Sequence, residues 1–486
     1  MSATVQAPVS AARRKPWYEA RPWQTNAALV LIGWGLIGFT KQLLVENDHY
    51  VIGFSGVSSA SAVLWLAALL ILWLKPENVN RYTFGIILAV AILCRLVGLF
   101  DDPFLSSDVY RYAWDGVVQH AHMNPYRYIA NDPALQALRD PNLELYNNMN
   151  RRDYAHTIYP PVAQMGFYLI TFISATMTWM KMAMVLFEGL MLYGLLKLLR
   201  ALGLRREQAM VYAWCPLAIW EFGSSGHLDA MAMAFIVFAL WFRYRDNRVL
   251  TGVFLGLAFL TKLYPIVLFP ALYRRGDWKM PTVIAAMTVA AYSVYLSAGK
   301  MVFGFLGGYA QEEGLETGTR YFLLQLVQHV PGLHGVGEKT FLGFAGAVML
   351  GICVWAWRVA TPLDAPRMAF LRPAFALAVA MMLLFSPHYP WYIAWLIPFL
   401  TLMPNLPVLT YVGMFFYLCT TMWATGTGWK QYHLNEILYA SIGIAVIMEL
   451  LLRKLPWTRG WFRPVAGNLN GDELPRLYAA PQPSRS

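Results

Sequence analysis

Apolar runs of about bilayer-crossing length recur from one end of the chain to the other. The clearest are 25–45, 58–75 and 82–99, and others follow near 181–201, 208–223, 228–243, 281–299, 340–357, 370–386, 390–404, 407–424 and 434–452. A helix needs roughly 20 consecutive apolar residues to cross the hydrocarbon core. There every backbone N–H and C=O must be satisfied within the protein, which restricts the choice to helices or closed barrels. Only 13% of the 486 residues are charged and 58% are apolar, whereas a soluble domain carries roughly 25% charged residues. The pattern predicts an all-α polytopic membrane protein with about twelve transmembrane helices, and it leaves no long soluble domain.

The charge supports this reading. The net charge is +11, and the cations cluster where the positive-inside rule places cytoplasmic ends. No basic stripe or recognition motif accompanies them, so nucleic acid is excluded as a partner. Residues 1–24 carry Arg13, Arg14, Lys15 and Arg21 with no small-residue cleavage site, which reads as a cytoplasmic tail rather than a signal peptide. The transmembrane domain is expected over 25–453, with a polar, proline-bearing cytoplasmic tail over 454–486. The acidic link Glu46–Asn47–Asp48 belongs outside and the link from Lys75 to Arg81 inside. Residues 101–160 then form an outside loop, too long for a mere connection. The loop is rich in Tyr, Asp, Asn and Arg, so order is expected. Cys94, Cys215, Cys353 and Cys419 lie in apolar runs without metal-ligand spacing and read as buried structural thiols. No GxxxxGK[ST] phosphate loop occurs.

Two apolar segments break the alternation. Counting Pro161–Thr178 as a crossing would put Arg200, Arg205 and Arg206 outside, and Leu250–Tyr273 has cations at both ends. Both conflicts vanish if 161–178 lies along or dips into the outer leaflet and 250–273 is a hairpin of two short helices bending near Lys262, Tyr264 and Pro265. Bent backbone at membrane depth is tolerated only against protein or a wet cavity, so a cavity at the outer face is expected.

Four polar clusters then converge on that face. The first is "SSDVYRYAWDG" with its loop, holding Asp101, Asp102, Asp108, Arg111, Asp115, His120 and His122, and "AHTIYPP" at 155–161. The others are "GSSGHLDA" at 223–230, "TKLYP" at 261–265 and "SPHYPWY" at 386–392. Each has a bland reading. Asp108 and Arg111 have the spacing of a helix pair of little worth, Lys262 has a stem that can snorkel, and the aromatics suit a membrane belt. Taken together the clusters outweigh those readings, because ionisable residues at membrane depth are costly and mark function. The chemistry is coherent. A carboxylate with apolar walls suits a general base, Lys and Arg suit phosphate, and Tyr and Trp faces suit sugar rings. That set points to a lipid-phosphate sugar donor.

The ordered series "SSDVYRYAWDG…NPY", "YPP", "SGHLD", "KLYP", "PHYPWY" resembles GT-C-type glycosyltransferases. More narrowly, it is similar to bacterial polyprenyl-phosphate-sugar-dependent mannosyltransferases of the glycosyltransferase 87 type, from about Arg81 to Leu452. The resemblance implies a GT-C-like fold with re-entrant or juxtamembrane helices, in a bacterial cytoplasmic membrane with the site outside. It implies a polyprenyl-phosphate-sugar donor, most often mannose, a lipid or glycan acceptor and an inverting displacement. The matching base is Asp108, with Asp101 or Asp102 second. Lys262, with Arg320 or Arg111, would steady the leaving phosphate. His388 would accept a proton or bind phosphate. His227 and Asp229 would bind sugar or orient another group. Tyr112, Trp114, Tyr159 and Tyr389 would shape the sugar site, with Asp115 among the binding residues. No cofactor is implied, and a divalent metal on Asp101, Asp102 and Asp108 is left open. A transporter or flippase of a lipid-linked sugar is the alternative, which predicts internal repeats that the sequence lacks. A polymerase or ligase using lipid diphosphates differs only in donor, and a scaffold explains the charges worst.

Overall fold

The computed structural model describes residues 21–45, 51–74, 78–103, 105–318, 321–425 and 431–454. Nearly all of both predicted tails, Glu46, Asn47, Asp48, Lys75, Arg320 and the side chain of Cys419 lie outside the described residues. The described chain is all-helical, with no strand among its residues.

Helices α1 (Pro22–Val45), α2 (Val51–Leu74) and α3 (Thr83–Leu99) pack together. Asparagines in the link before α3 fasten its start. Asn78 Nδ2 donates to Thr25 Oγ1 at 3.2 Å and Asn26 Nδ2 to Asn80 Oδ1 at 3.2 Å. The last carbonyls of a helix have no intrahelical partner. At the end of α3 the buried Lys181 supplies one, its Nζ donating to Gly98 O at 2.9 Å and also to Asp101 O.

Residues 101–160 form a folded layer over this end of the bundle. Helix α4 (Asp108–His120) buries Val109, Tyr112, Trp114 and Val118, and short helical turns follow between Pro133 and Asn148. Helix α5 (Pro161–Thr171) packs on α4, with Pro161 at its first position, where the missing N–H costs nothing. The two approach so closely that a Cβ on Gly116 would lie 2.8 Å from Phe167 O, with Thr171 Oγ1 closer still. Helix α5 is too short to cross a bilayer, and the long helix α6 (Met177–Ala201) starts only after a turn.

Helix α6 packs on α3 and on α7 (Asp229–Tyr244). Between α6 and α7 the apolar run is broken, first at Trp214–Cys215 before Pro216 and then by a π-helical turn, Ile219–Ser224. A buried charge pair ties these pieces together: Arg95 Nη2 lies 2.8 Å from Glu188 Oε1, which also accepts from Tyr212 OH at 2.6 Å. Helix α8 (Arg248–Thr261) ends at an extended Lys262 (φ −145°, ψ 144°), and the chain turns back through Tyr264–Leu268 and Phe269–Leu272. Both ends of this segment meet, with Arg274 Nε 3.1 Å from Asp246 Oδ1. The hairpin expected at 250–273 is what forms.

Helix α9 (Lys279–Ser293) is followed by a bend of 113° into 296–312, which ends in the short helix α10 (Leu306–Glu312). The rest comprises α11 (Glu338–Ala360), α12 (Leu371–Phe385), the apolar segment α13 (Pro390–Leu402), α14 (Leu406–Thr425) and α15 (Gln431–Leu452). The count of about twelve transmembrane helices is not reached by helices of spanning length. Among the described residues four are long and apolar enough, or five if the bent pair around residue 294 is one span. Several of the rest are shortened or interrupted, some beside prolines that cannot donate to the helix ladder.

Candidate active site

At the end of the bundle covered by residues 101–160, a cavity of about 660 Å³ opens between that layer, the bend at Lys262 and the turn between α12 and α13. Each wall is placed by a local peculiarity of the chain.

Asp108 is the first residue of α4, where the free N–H groups of a helix favour a carboxylate. Its N–H donates to Ser106 Oγ at 3.2 Å, and its Oδ1 accepts from Asn150 Nδ2 at 2.8 Å. The next residue, Arg151, has a left-handed backbone (φ 54°) and lines the cavity. Such a conformation is uncommon outside glycine and concentrates at functional sites. Ser386, two residues before His388, is left-handed too (φ 39°). Arg151 Nε donates to Glu312 Oε2 at 2.7 Å, and Tyr154 OH to Glu312 Oε1 at 2.8 Å. That bond pushes the Tyr154 phenol up, as does burial.

Lys262 sits at the break after α8. Its Nζ lies 2.6 Å from Asp229 Oδ2 and 4.4 Å from the centre of the Tyr392 ring. Asp229 Oδ1 accepts from Trp395 Nε1 at 2.9 Å, so this fully buried carboxylate has partners on both oxygens. Trp391 is stacked between His227 (centroids 4.0 Å) and Tyr389 (4.5 Å). Behind that stack the buried His227 Nε2 lies 3.3 Å from Glu221 Oε2, and its Nδ1 lies 3.5 Å from Tyr112 OH. Tyr309 and Tyr392 share a hydroxyl contact at 3.1 Å. Burial, then Glu313, pushes the Tyr389 phenol up.

Of the residues singled out in the sequence, Asp108, Tyr159, Lys262 and Tyr389 line the cavity. Asp229 and His227 stand directly behind Lys262 and Trp391. Tyr112 is buried against Tyr159 and Phe167. His388 stacks on Phe322, with its Nδ1 3.7 Å from Glu313 Oε2, and does not line the cavity. The others lie apart. Asp101 and Asp102 are exposed. Arg111 does not pair back to Asp108 but forward, Nε to Asp115 Oδ1 at 2.8 Å. It also donates to Ala155 O, and Asp115 accepts from Gln164 Nε2 at 2.8 Å, so the pair fastens the loop to α5. Trp114 packs on Tyr146. Arg320 lies outside the described residues. Among the described residues no three His, Cys, Asp or Glu side chains gather as a metal site, and Asp101, Asp102 and Asp108 do not form one.

Asn150, Arg151 and Glu312 were not singled out in the sequence, and neither was Glu221. "NRRD" at 150–153 offered two arginines with nothing to choose between them. Trp391 and Tyr392 stood inside a cluster already noted, and only their rings' positions distinguish them from belt aromatics.

Chemically, the cavity offers one carboxylate held at a helix start, two cations with carboxylate partners, and a wall of aromatic faces. Residues 25–274 match the model of the MptA_B family, described as alpha-(1->6)-mannopyranosyltransferase, N-terminal domain. No curated protein and no solved structure matches the chain.

Proposed function

Since the chain belongs to this alpha-(1->6)-mannopyranosyltransferase family and is a glycosyltransferase, we propose that it moves mannose from a polyprenyl-phosphate donor to a hydroxyl of a lipid or glycan acceptor, with Asp108 as general base. The cavity is taken to face the outside of a bacterial cytoplasmic membrane, with both chain ends in the cytoplasm.

The observation that carries this reading is the state of Asp108. Among the described residues it is the carboxylate that lines the cavity, and its partner is the neutral Asn150 rather than a cation. Two other nearby carboxylates, Asp229 and Glu312, are tied to Lys262 and Arg151. Asp108 is therefore not committed to a cation. In the step, an Asp108 oxygen removes the proton of the acceptor hydroxyl as that oxygen attacks the anomeric carbon. The new C–O bond forms on one face while the bond to the phosphate oxygen breaks on the other, and the polyprenyl phosphate leaves with the electron pair. One displacement inverts the centre, so an alpha product requires a beta-linked donor. The positive side of the cavity lowers the cost of the departing charge, and its aromatic faces hold the sugar ring.

The test uses purified protein in nanodiscs with radiolabelled polyprenyl-phosphate-mannose and a membrane-lipid extract as acceptor. Wild type is expected to build a product cleaved by an alpha-mannosidase, and Asp108→Asn to build none. Equal transfer by both proteins would remove Asp108 as the base.

A further inference from the structure

Arg151, which lines the cavity, forms an ion pair with Glu312, a residue from a distant part of the chain. Arg151 Nε and Glu312 Oε2 are 2.7 Å apart, with side chains 25% and 30% exposed. This differs from the cavity's other cation. Lys262 is bound to Asp229, a carboxylate with no exposure, itself held by Trp395. Displacing Asp229 would strand a buried charge. Glu312 is also held, by the Tyr154 hydroxyl, but both side chains are open to solvent and it can reach water without that penalty. It is also the last residue of a short helix beyond a 113° bend. That helix is seated by Gly304 (φ 56°), which presses so closely on Thr157 that no Cβ fits. Arg151 is fixed from the other side by its left-handed backbone, next to the asparagine that holds Asp108. A fixed guanidinium beside the base, facing a carboxylate that can leave, is arranged to exchange one oxyanion for another. Two oxygens of a tetrahedral phosphate can meet the planar guanidinium fork as the two oxygens of a carboxylate do.

We propose that Arg151 binds the donor's phosphate and that Glu312 holds its place until the donor arrives. This rests on the reading of the protein as a polyprenyl-phosphate-dependent transferase. On binding, the Arg151–Glu312 hydrogen bond is replaced by one to a phosphate oxygen, and Glu312 turns to solvent still ionised.

The exchange is separable from a structural ion pair by sign. A structural pair loses as much from either partner, whereas a competing anion opposes the ligand. The probe is radiolabelled polyprenyl phosphate without sugar, titrated into full-length protein in nanodiscs, with mannose transfer measured in parallel. Arg151→Gln is expected to weaken binding at least tenfold, and Arg151→Lys to recover part of it. Glu312→Gln is expected to tighten binding several-fold and to lower the donor KM. The double variant should bind like Arg151→Gln alone. If Glu312→Gln weakens binding in step with Arg151→Gln, the exchange is wrong. If Arg151→Gln binds like wild type, the phosphate sits elsewhere. Should Arg151→Gln misfold, the sign of the Glu312→Gln change still decides. Wild type that binds polyprenyl phosphate and transfers mannose, with Arg151→Gln binding as wild type does or Glu312→Gln binding more weakly, would overturn this inference alone. Wild type that does neither would overturn the functional reading itself.

Discussion

The two walls of the cavity are made of different material. The wall from residues 105–264 carries Asp108, Asn150, Arg151 and Lys262 beside Tyr159 and Tyr264, while the lining from 306–392 carries Tyr309, Tyr389, Trp391 and Tyr392 among apolar neighbours, with the charge of Glu312 reaching Arg151 from behind it. The first lies inside the stretch that matches the family and the second beyond it. The difference suggests a division of labour. Proton transfer and phosphate binding need charges in fixed places, and these come from one contiguous half of the chain. Recognition of a sugar ring needs faces, and the other half supplies most of those that line the cavity.

That division is breakable, and the sharpest test is the base. Asp108→Asn is expected to cut transfer by about 10²–10⁴-fold while polyprenyl-phosphate binding survives; loss of binding in parallel would mean that the charged wall does not separate these tasks. Next is the buried pair. Lys262→Met leaves Asp229 without its cation, and thermal unfolding in detergent should show a loss of about 3–5 kcal/mol, partly restored by adding Asp229→Asn. An unchanged melting point with lost turnover would instead make Lys262 a purely chemical residue. Gly116→Ala should cost about 1–3 kcal/mol through overpacking, because α4 and α5 must part, and it should lower kcat by displacing Asp108. A change in KM alone would contradict that route. On the aromatic wall, Trp391→Leu removes a stacked ring worth about 0.5–1.5 kcal/mol. The expected result is a KM raised about two- to tenfold at nearly constant kcat, and a collapse of kcat would erase the contrast between the walls.

The smallest effect concerns pH. Burial, then the Arg111 charge, holds the His156 imidazole below its ordinary value. Its folded form therefore binds fewer protons than the unfolded chain once the pH falls below about 6.5, and stability is lost as the pH drops through that range toward the lowered value. Hydrogen exchange of the 150–160 backbone should quicken below about pH 6.5, and His156→Gln should flatten that dependence. An acid response that survives the substitution would have another source.

Some of this was legible in the sequence for physical reasons. The hairpin through Lys262 followed from a conflict of charges, since one crossing cannot put both basic ends on the same side. The sites near Asp108, Lys262 and Tyr389 stood out because ionisable and aromatic groups at membrane depth need a reason to be there. The about-twelve count goes beyond the four or five helices of spanning length among the described residues, because composition says nothing of continuity. A run such as 208–223 is mostly apolar, yet Pro216 and the π-helical turn interrupt it. Arg111 and Asp115 looked like binding residues because ionisable side chains in a loop are ambiguous, and only their burial against Ala155 and Gln164 makes them a fastening.

What the sequence determined by itself is what depends on local pattern: helices throughout, a chain built for lipid, two segments that turn back or stop short, and the residue types able to serve a sugar-phosphate donor. What only the tertiary structure decided is which of those residues meet. Asn150 faces Asp108 from 42 positions away, Glu312 reaches Arg151 from 161 and Trp395 reaches Asp229 from 166. Such pairings are set by how broken helices pack and by a left-handed turn at one arginine, and no local preference of the chain encodes them.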